Sequence, residues 1–275
     1  MLSSRESPRP GSASSLSCLA EQAKILFAEA EENNLGAKAI DERFQRWYTC
    51  SLCEQRYHGV VQCALGWACW KTYLGRPEAD EVRQLAMSLL GNGLDAAAHH
   101  EDALSVREAE LSLLRRVGVS EPNLLIVQNN LGITYEQLKR HEEAMRIRQG
   151  VYSGRLKFFG EENIDTLGAA SNYASTLNDL ERFEEAKSLM LKMMPVARRV
   201  LGVNHILMLM LRINYAQALC RDPAGTLVDV RESVETYKDS EQIARRVLGG
   251  SHPLTTQIEE EFRDARAVQR AREIS

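Results

Sequence analysis

The chain has 275 residues, 44% hydrophobic and 26% charged, with only 17 Gly and 7 Pro, the balance of a folded protein rather than a disordered or fibrous one. A formal net charge of -4 supplies no basic field, which excludes nucleic acid as an expected partner. The longest purely apolar run, Ile206 to Leu211, is six residues, far below the roughly 20 that a membrane-spanning helix needs, and no secretory leader is evident, so the expected compartment is the cytosol.

Residues 1–15 are rich in Ser, Pro and Arg and are expected to form a disordered tail. Over 16–48, Leu16, Leu19, Ala23 and Leu26 recur at helical spacing, which predicts a helical extension broken near Gly36. Residues 49–75 are a Cys-rich segment leading into a degenerate first helix pair. There Cys50, Cys53, His58 and Cys63 stand at the spacing of a zinc knuckle, and a tetrahedral structural zinc is one reading. The other is that Cys63, Trp67 and Trp70 pack as core residues of one helix, with no cofactor.

From residue 76 onward the chain repeats itself. Gly118, Gly160 and Gly202 are spaced by 42 and 42 residues, Gly249 follows after 47, and Gly75 lies 43 before Gly118. Each glycine ends an apolar, mostly basic stretch, the signature of a helix stop whose cap is left-handed. Helix starts are expected near Ser120, Glu161, Asn204 and Ser251. Between these marks a large apolar residue, a small one and another large one three later align as Leu90-Gly91-Leu94, Leu131-Gly132-Tyr135, Tyr173-Ala174-Leu177 and Tyr215-Ala216-Leu219. Such a notch lets a second helix pack closely. Ala103, Ala144, Ala186 and Ser233 supply the small residue of that second helix. The five extra residues before Gly249 sit near Asp222-Pro223 and Gly225, which predicts a longer loop or a shifted helix start, and Pro195 predicts a bend.

These offsets resemble the tetratricopeptide family over residues 76–250, with 251–275 as a C-terminal capping helix. The 42-residue period and the linkers LGVNHILM and LGGSHPLT are similar to the repeats of kinesin light chains. The resemblance implies an all-α fold: a tetratricopeptide-type α-solenoid, a right-handed superhelix of antiparallel helix pairs with a concave groove. Kinesin light chains carry a heptad segment before their repeats, and none is evident here.

Four features bear on chemistry. The run His99-His100-Glu101-Asp102 looks like a metal cluster, but His100, His141 and Phe183 share one repeat position, which assigns it to the turn between paired helices. The pairs Arg115-Arg116, Arg198-Arg199 and Arg245-Arg246 fit solvated cations at helix ends. No Cys, His and carboxylate combine into a nucleophilic centre, so no enzyme activity is expected. Asn130, Asn172 and Asn214 recur at 42 and 42 residues, each before the large apolar residue of a first helix. Asn is a poor residue for a helix interior. Its amide can instead hydrogen-bond the main chain of an extended peptide, as the family resemblance implies, or bond an adjacent repeat. Ile133, Gln137, Ser175, Asp179, Gln217 and Arg221 are the neighbours one turn away. The expected function is a scaffold or adaptor binding a protein or peptide segment in the groove. Alternatives are a kinesin light chain-like cargo-binding subunit and a zinc-binding regulatory or catalytic module at residues 50–63.

Overall fold

The computed structural model describes residues 11–274. Of the expected disordered tail, residues 1–10 lie outside the described residues, and a helix already runs from Gly11. Twelve α-helices and one 3-10 turn make up the secondary structure among the described residues, with a single isolated antiparallel bridge between Thr49 and Arg56 and no strand. The chain divides into two compact units, Met1–Leu138 and Lys139–Ser275.

The first unit holds α1 (Gly11–Glu32), α2 (Ala37–Phe44), α3 (Gly59–Tyr73), α4 (Glu81–Ala96), α5 (His100–Arg116) and α6 (Glu121–Gln137). The break expected near Gly36 is there, because Asn34 turns left-handed and Gly36 caps α2. Phe27, Phe44, Trp47 and Tyr73 form an aromatic knot in which Tyr73 meets Phe27 and Trp47 edge-on at 5.6 and 5.9 Å. Burial raises the Tyr73 hydroxyl to about 12. Helices α3 and α4 cross so closely that a Cβ on Gly66 would lie 2.8 Å from the Leu89 carbonyl, and one on Gly93 2.8 Å from the Cys63 Cα.

The second unit holds α7 (His141–Phe159), α8 (Ile164–Asp179), α9 (Phe183–Leu201), α10 (Ile206–Arg221), α11 (Leu227–Val247) and α12 (Pro253–Ile274). Each helix packs on the next, and α10 also meets α8 and α12. Its core combines Leu167, Leu177, Met190, Met193, Met208 and Leu211, all within 1% of full burial.

The helix stops follow the sequence reading, with Gly118, Gly160, Gly202 and Gly249 at φ of 77, 78, 78 and 88°. Gly75 does not: like Gly118 it follows the end of its helix by two residues, here at Tyr73, but it has no positive φ. Three starts also differ. Asn163, rather than Glu161, caps α8, its side-chain oxygen accepting from the Asp165 and Thr166 N–H groups at 2.9 and 3.2 Å. His205, rather than Asn204, caps α10, its Nδ1 accepting from the Leu207 N–H at 3.1 Å, and His252 does the same for Leu254 beside Ser251. Asn204 instead accepts from Arg246 at 2.8 Å. Helix α9 runs unbroken through Pro195. The small positions Ala103, Ala144 and Ala186 are fully buried, and Ser233 is buried by donating its hydroxyl to the Ala216 carbonyl at 2.8 Å. His100, His141 and Phe183 begin α5, α7 and α9, each just after a turn containing a left-handed residue, Ala98, Lys139 or Glu181. The extra residues of the last repeat are shared between a longer turn, Asp222 to Thr226, and a longer α11, which opens with a capping box of Thr226 and Asp229.

Candidate functional site

The first helices of the repeats, α4, α6, α8 and α10, each bury one face against their second helix and leave another less covered. One repeat position on that less covered face carries Leu85, Ile126, Gly168 and Met210. Leu85, Ile126 and Met210 are 49%, 53% and 37% exposed, and Ile133, two turns further along α6, is 37% exposed. Their recurrence at one repeat position puts exposed apolar side chains on the same face of the first helices in both units.

The three asparagines are not equivalent. Asn130 on α6 and Asn172 on α8 are half-buried, and each lends its carbonyl to a threonine one turn on, Thr134 or Thr176, at 3.2 Å. Asn214 on α10 is buried, and its amide donates to the Ser171 carbonyl at 2.8 Å and the Ser171 hydroxyl at 3.0 Å. Here the amide ties α10 to α8. Replacing Asn214 with Ala is therefore expected to lower stability by about 1–3 kcal/mol, the loss of two hydrogen bonds in a buried contact. The measurement is the urea unfolding midpoint, and an unmoved midpoint would show the amide to be dispensable for packing.

Asn178, which the sequence reading passed over, continues this bonding. Its amide donates to the Asn214 carbonyl at 2.9 Å and lies 3.4 Å from Gln217 Oε1. Gln217 donates to Glu261 Oε1 at 2.7 Å, and the Tyr237 hydroxyl donates to Glu261 Oε2 at 2.6 Å. Burial, with Glu261 beside it, pushes the Tyr237 hydroxyl far up. The signal was present, because Asp95, Glu136, Asn178 and Cys220 share one repeat position and three of the four are polar. Asp95 does comparable work in the first unit: its carboxylate holds the buried Arg107 at 2.8 Å.

Beside this chain of bonds lies a cavity of about 580 Å³, lined by Phe183, Gln217, Arg221, Pro223, Glu261 and Arg272 among others. Arg221 sits 3.9 Å from Asp179 and over the Phe183 ring at 5.8 Å. Of the predicted peptide-contacting residues, Asp179, Gln217 and Arg221 are thus gathered at this recess or its edge, with Ser175 half-buried one turn before Asp179. Gln137 is exposed at the end of α6.

The predicted zinc ligands do not assemble. Among the described residues, no three His, Cys, Asp or Glu side chains gather where one ion could be held. Cys63 lies within α3 beside Leu90, Leu94 and Ala103, its thiol raised by burial, so chain spacing placed it nearer the loop cysteines than the fold does. His58 precedes α3 and lines a different recess, of about 440 Å³, with Tyr48, Arg56, Tyr57, Leu85 and Leu89. Cys50 and Cys53 do meet. The Cys50 sulfur accepts from the Leu52 N–H at 3.5 Å and from the Cys53 N–H, and these donors hold its thiol below the usual value.

Residues 166–207 match the family model for the tetratricopeptide repeat. This segment is a tetratricopeptide repeat. Solved structures similar to the chain include two of kinesin light chain nearly identical TPR-like repeats from Podosopora anserina, one a substituted form of the other. They are 16% and 15% identical, cover 84% of this chain and 96% and 97% of their own, and both have a TM-score of 0.56. BtubC (BKLC) from P. vanneervenii is 13% identical over 76% of this chain and 91% of its own, with a TM-score of 0.52. No curated protein matches the chain. The likeness to these structures is one of fold, and the fold class is the all-α solenoid type. No helix among the described residues is long and apolar enough to cross a membrane.

Proposed function

We propose that the chain is a non-catalytic scaffold that binds a segment of a partner protein on the less covered faces of its first helices, each compact unit offering its own face. The observation that carries this reading is the recurrence of Leu85, Ile126 and Met210 as exposed apolar residues at one repeat position. In the first unit Asn130 stands one turn from Ile126, where an amide can bond a segment's main chain. In the second, Asn214 is committed to Ser171, and the recess at Gln217 and Arg221 takes a side chain. A kinesin light chain-like cargo role is a finer form of the same reading and draws its support from the likeness of fold. The cytosol is the compartment this reading expects.

The test is selection of a displayed random-peptide library on the full chain, followed by affinity measurement on two variants. One is Ile126→Glu with Ile133→Glu, the other Arg221→Glu; all three sites are exposed, so the helices should keep their circular dichroism. Selected peptides are expected to bind at least one variant about tenfold more weakly, a loss of about 1.4 kcal/mol. Peptides that bind both variants as tightly as the parent chain would overturn the placement of the site.

A further inference from the structure

The loop between the 3-10 turn at Gln45–Trp47 and α3 is more ordered than its length requires. Tyr57 donates its N–H to the Tyr48 carbonyl at 3.0 Å and Cys50 to the Gln55 carbonyl at 2.9 Å, around the bridge of Thr49 and Arg56. Inside that frame the Glu54 N–H returns to the Cys50 carbonyl at 3.1 Å, with Glu54 itself left-handed at φ 57°. The turn folds Cys53 back toward Cys50, and the Cys53 and Leu52 N–H groups together with the Cys53 side chain lower the Cys50 thiol. Both thiols are free, with Cys53 exposed and Cys50 half-buried. Tyr57 stands beside them, its hydroxyl raised by burial and then by Cys50, and it lines the recess of about 440 Å³ with Leu85 and Leu89 of α4.

We propose that Cys50 and Cys53 are a modification site, a dithiol that a hydroperoxide oxidises to a disulfide, and that Tyr57 carries the change to the recess on α4. Backbone N–H groups aimed at the Cys50 sulfur stabilise its thiolate, which makes it the attacking atom. The thiolate attacks one peroxide oxygen, the O–O bond breaks, and with hydrogen peroxide the products are a Cys50 sulfenic acid and water. The Cys53 sulfur then attacks the Cys50 sulfur, the S–O bond breaks, and a second water leaves. Two thiols have lost two electrons and two protons, and the peroxide has been reduced to two waters. A disulfide carries no charge, so oxidation removes the Cys50 thiolate that faces Tyr57 and, with it, what ties this wall of the recess to the loop. The other thiols are less suited: Cys69 is buried, and burial raises the thiols of Cys63, Cys69 and Cys220.

The experiment treats the full chain with hydrogen peroxide, maps the products by mass spectrometry, and follows amide hydrogen exchange with and without oxidation. The expected result is a peptide spanning Cys50 and Cys53 that has lost two hydrogen atoms, together with faster exchange across Leu85 to Asn92. In Cys53→Ser, Cys50 is expected to carry a sulfenic acid trapped by a dimedone probe. In Tyr57→Phe, the disulfide still forms and the exchange change on α4 disappears. Oxidation that stops at separate sulfinic acids, or a dimedone adduct absent from Cys50 in Cys53→Ser, overturns the dithiol. A disulfide that leaves α4 exchange unmoved in the parent chain overturns the link through Tyr57.

Discussion

Replacing Arg107 with Met is expected to cost the first unit about 3–5 kcal/mol, because it strands a carboxylate that the fold has enclosed. Arg107 is 3% exposed, and its guanidinium reaches Asp95 Oδ2 at 2.8 Å, Asn92 Oδ1 at 2.9 Å and the Thr134 hydroxyl at 3.0 Å. Against a typical domain stability of about 5–15 kcal/mol, the loss is a large fraction. The same repeat position holds Met190 in α9, where the partner position holds Asn178 instead of Asp95. The double variant Asp95→Asn with Arg107→Met therefore transplants a pair the protein already uses. It is expected to return to within about 1–2 kcal/mol of the parent, since replacing both members of a buried ion pair costs far less than removing one. Urea unfolding of both single variants and the double closes the cycle; a double variant as weak as the sum of the singles would refute the coupling.

The loss in Arg107→Met should also grow with pH. Burial raises the carboxyl of Glu110, while a hydrogen bond from Ser88 and the charge of Arg107 pull it down. A carboxyl whose pKa is higher folded than unfolded binds more protons in the native state, so stability falls as pH rises from its unfolded to its folded pKa. Without Arg107 that window widens upward, and the variant's deficit is expected to be larger above it than below.

Gly93→Ala is expected to destabilise by about 3 kcal/mol, against the helix propensity that would favour Ala by about 1 kcal/mol. Its Cβ would meet the Cys63 Cα and the Gln62 carbonyl, both at 2.8 Å, and both are backbone atoms that no rotamer change can move. Gly168, in the middle of α8 with nothing within 4 Å, is the control: Gly168→Ala is expected to raise stability by about 0.5–1 kcal/mol. Thermal or urea midpoints of the two variants should shift in opposite directions. A neutral Gly93→Ala would mean that α3 and α4 slide apart at little cost.

What could be read from the sequence was set by local sterics and by repetition. A left-handed stop favours glycine, so Gly118, Gly160, Gly202 and Gly249 betray their conformation in one dimension, whereas the left-handed turns after α4, α6 and α8 fall on Ala98, Lys139 and Glu181, which residue type does not announce. The buried small residues recur for a similar reason, because each helix pair needs the same notch. Features that depend on which groups meet across space were less legible. Asn130, Asn172 and Asn214 look alike along the chain, yet only the packing of α8 on α10 brings Asn214 against Ser171. The cysteine spacing counted residues, whereas Cys63 is carried away from Cys50 and Cys53 by belonging to a helix that faces α4. The cap of α10 was missed by one residue because imidazole, not the usual amide or hydroxyl, provides the acceptor.

The lengthened α11 grows at its start and not at its end. Ser233 stands 16 residues before Gly249, as Ala144 stands before Gly160 and Ala186 before Gly202, so the three extra residues of α11 precede its buried small position and extend the helix backward by nearly one turn. The chain therefore leaves α11 in the register of the preceding repeats. The turn before the added residues offers the Asp222 and Gly225 carbonyls to Arg272 near the end of α12, a contact for which the turns before the shorter α7 and α9 have no counterpart among the described residues.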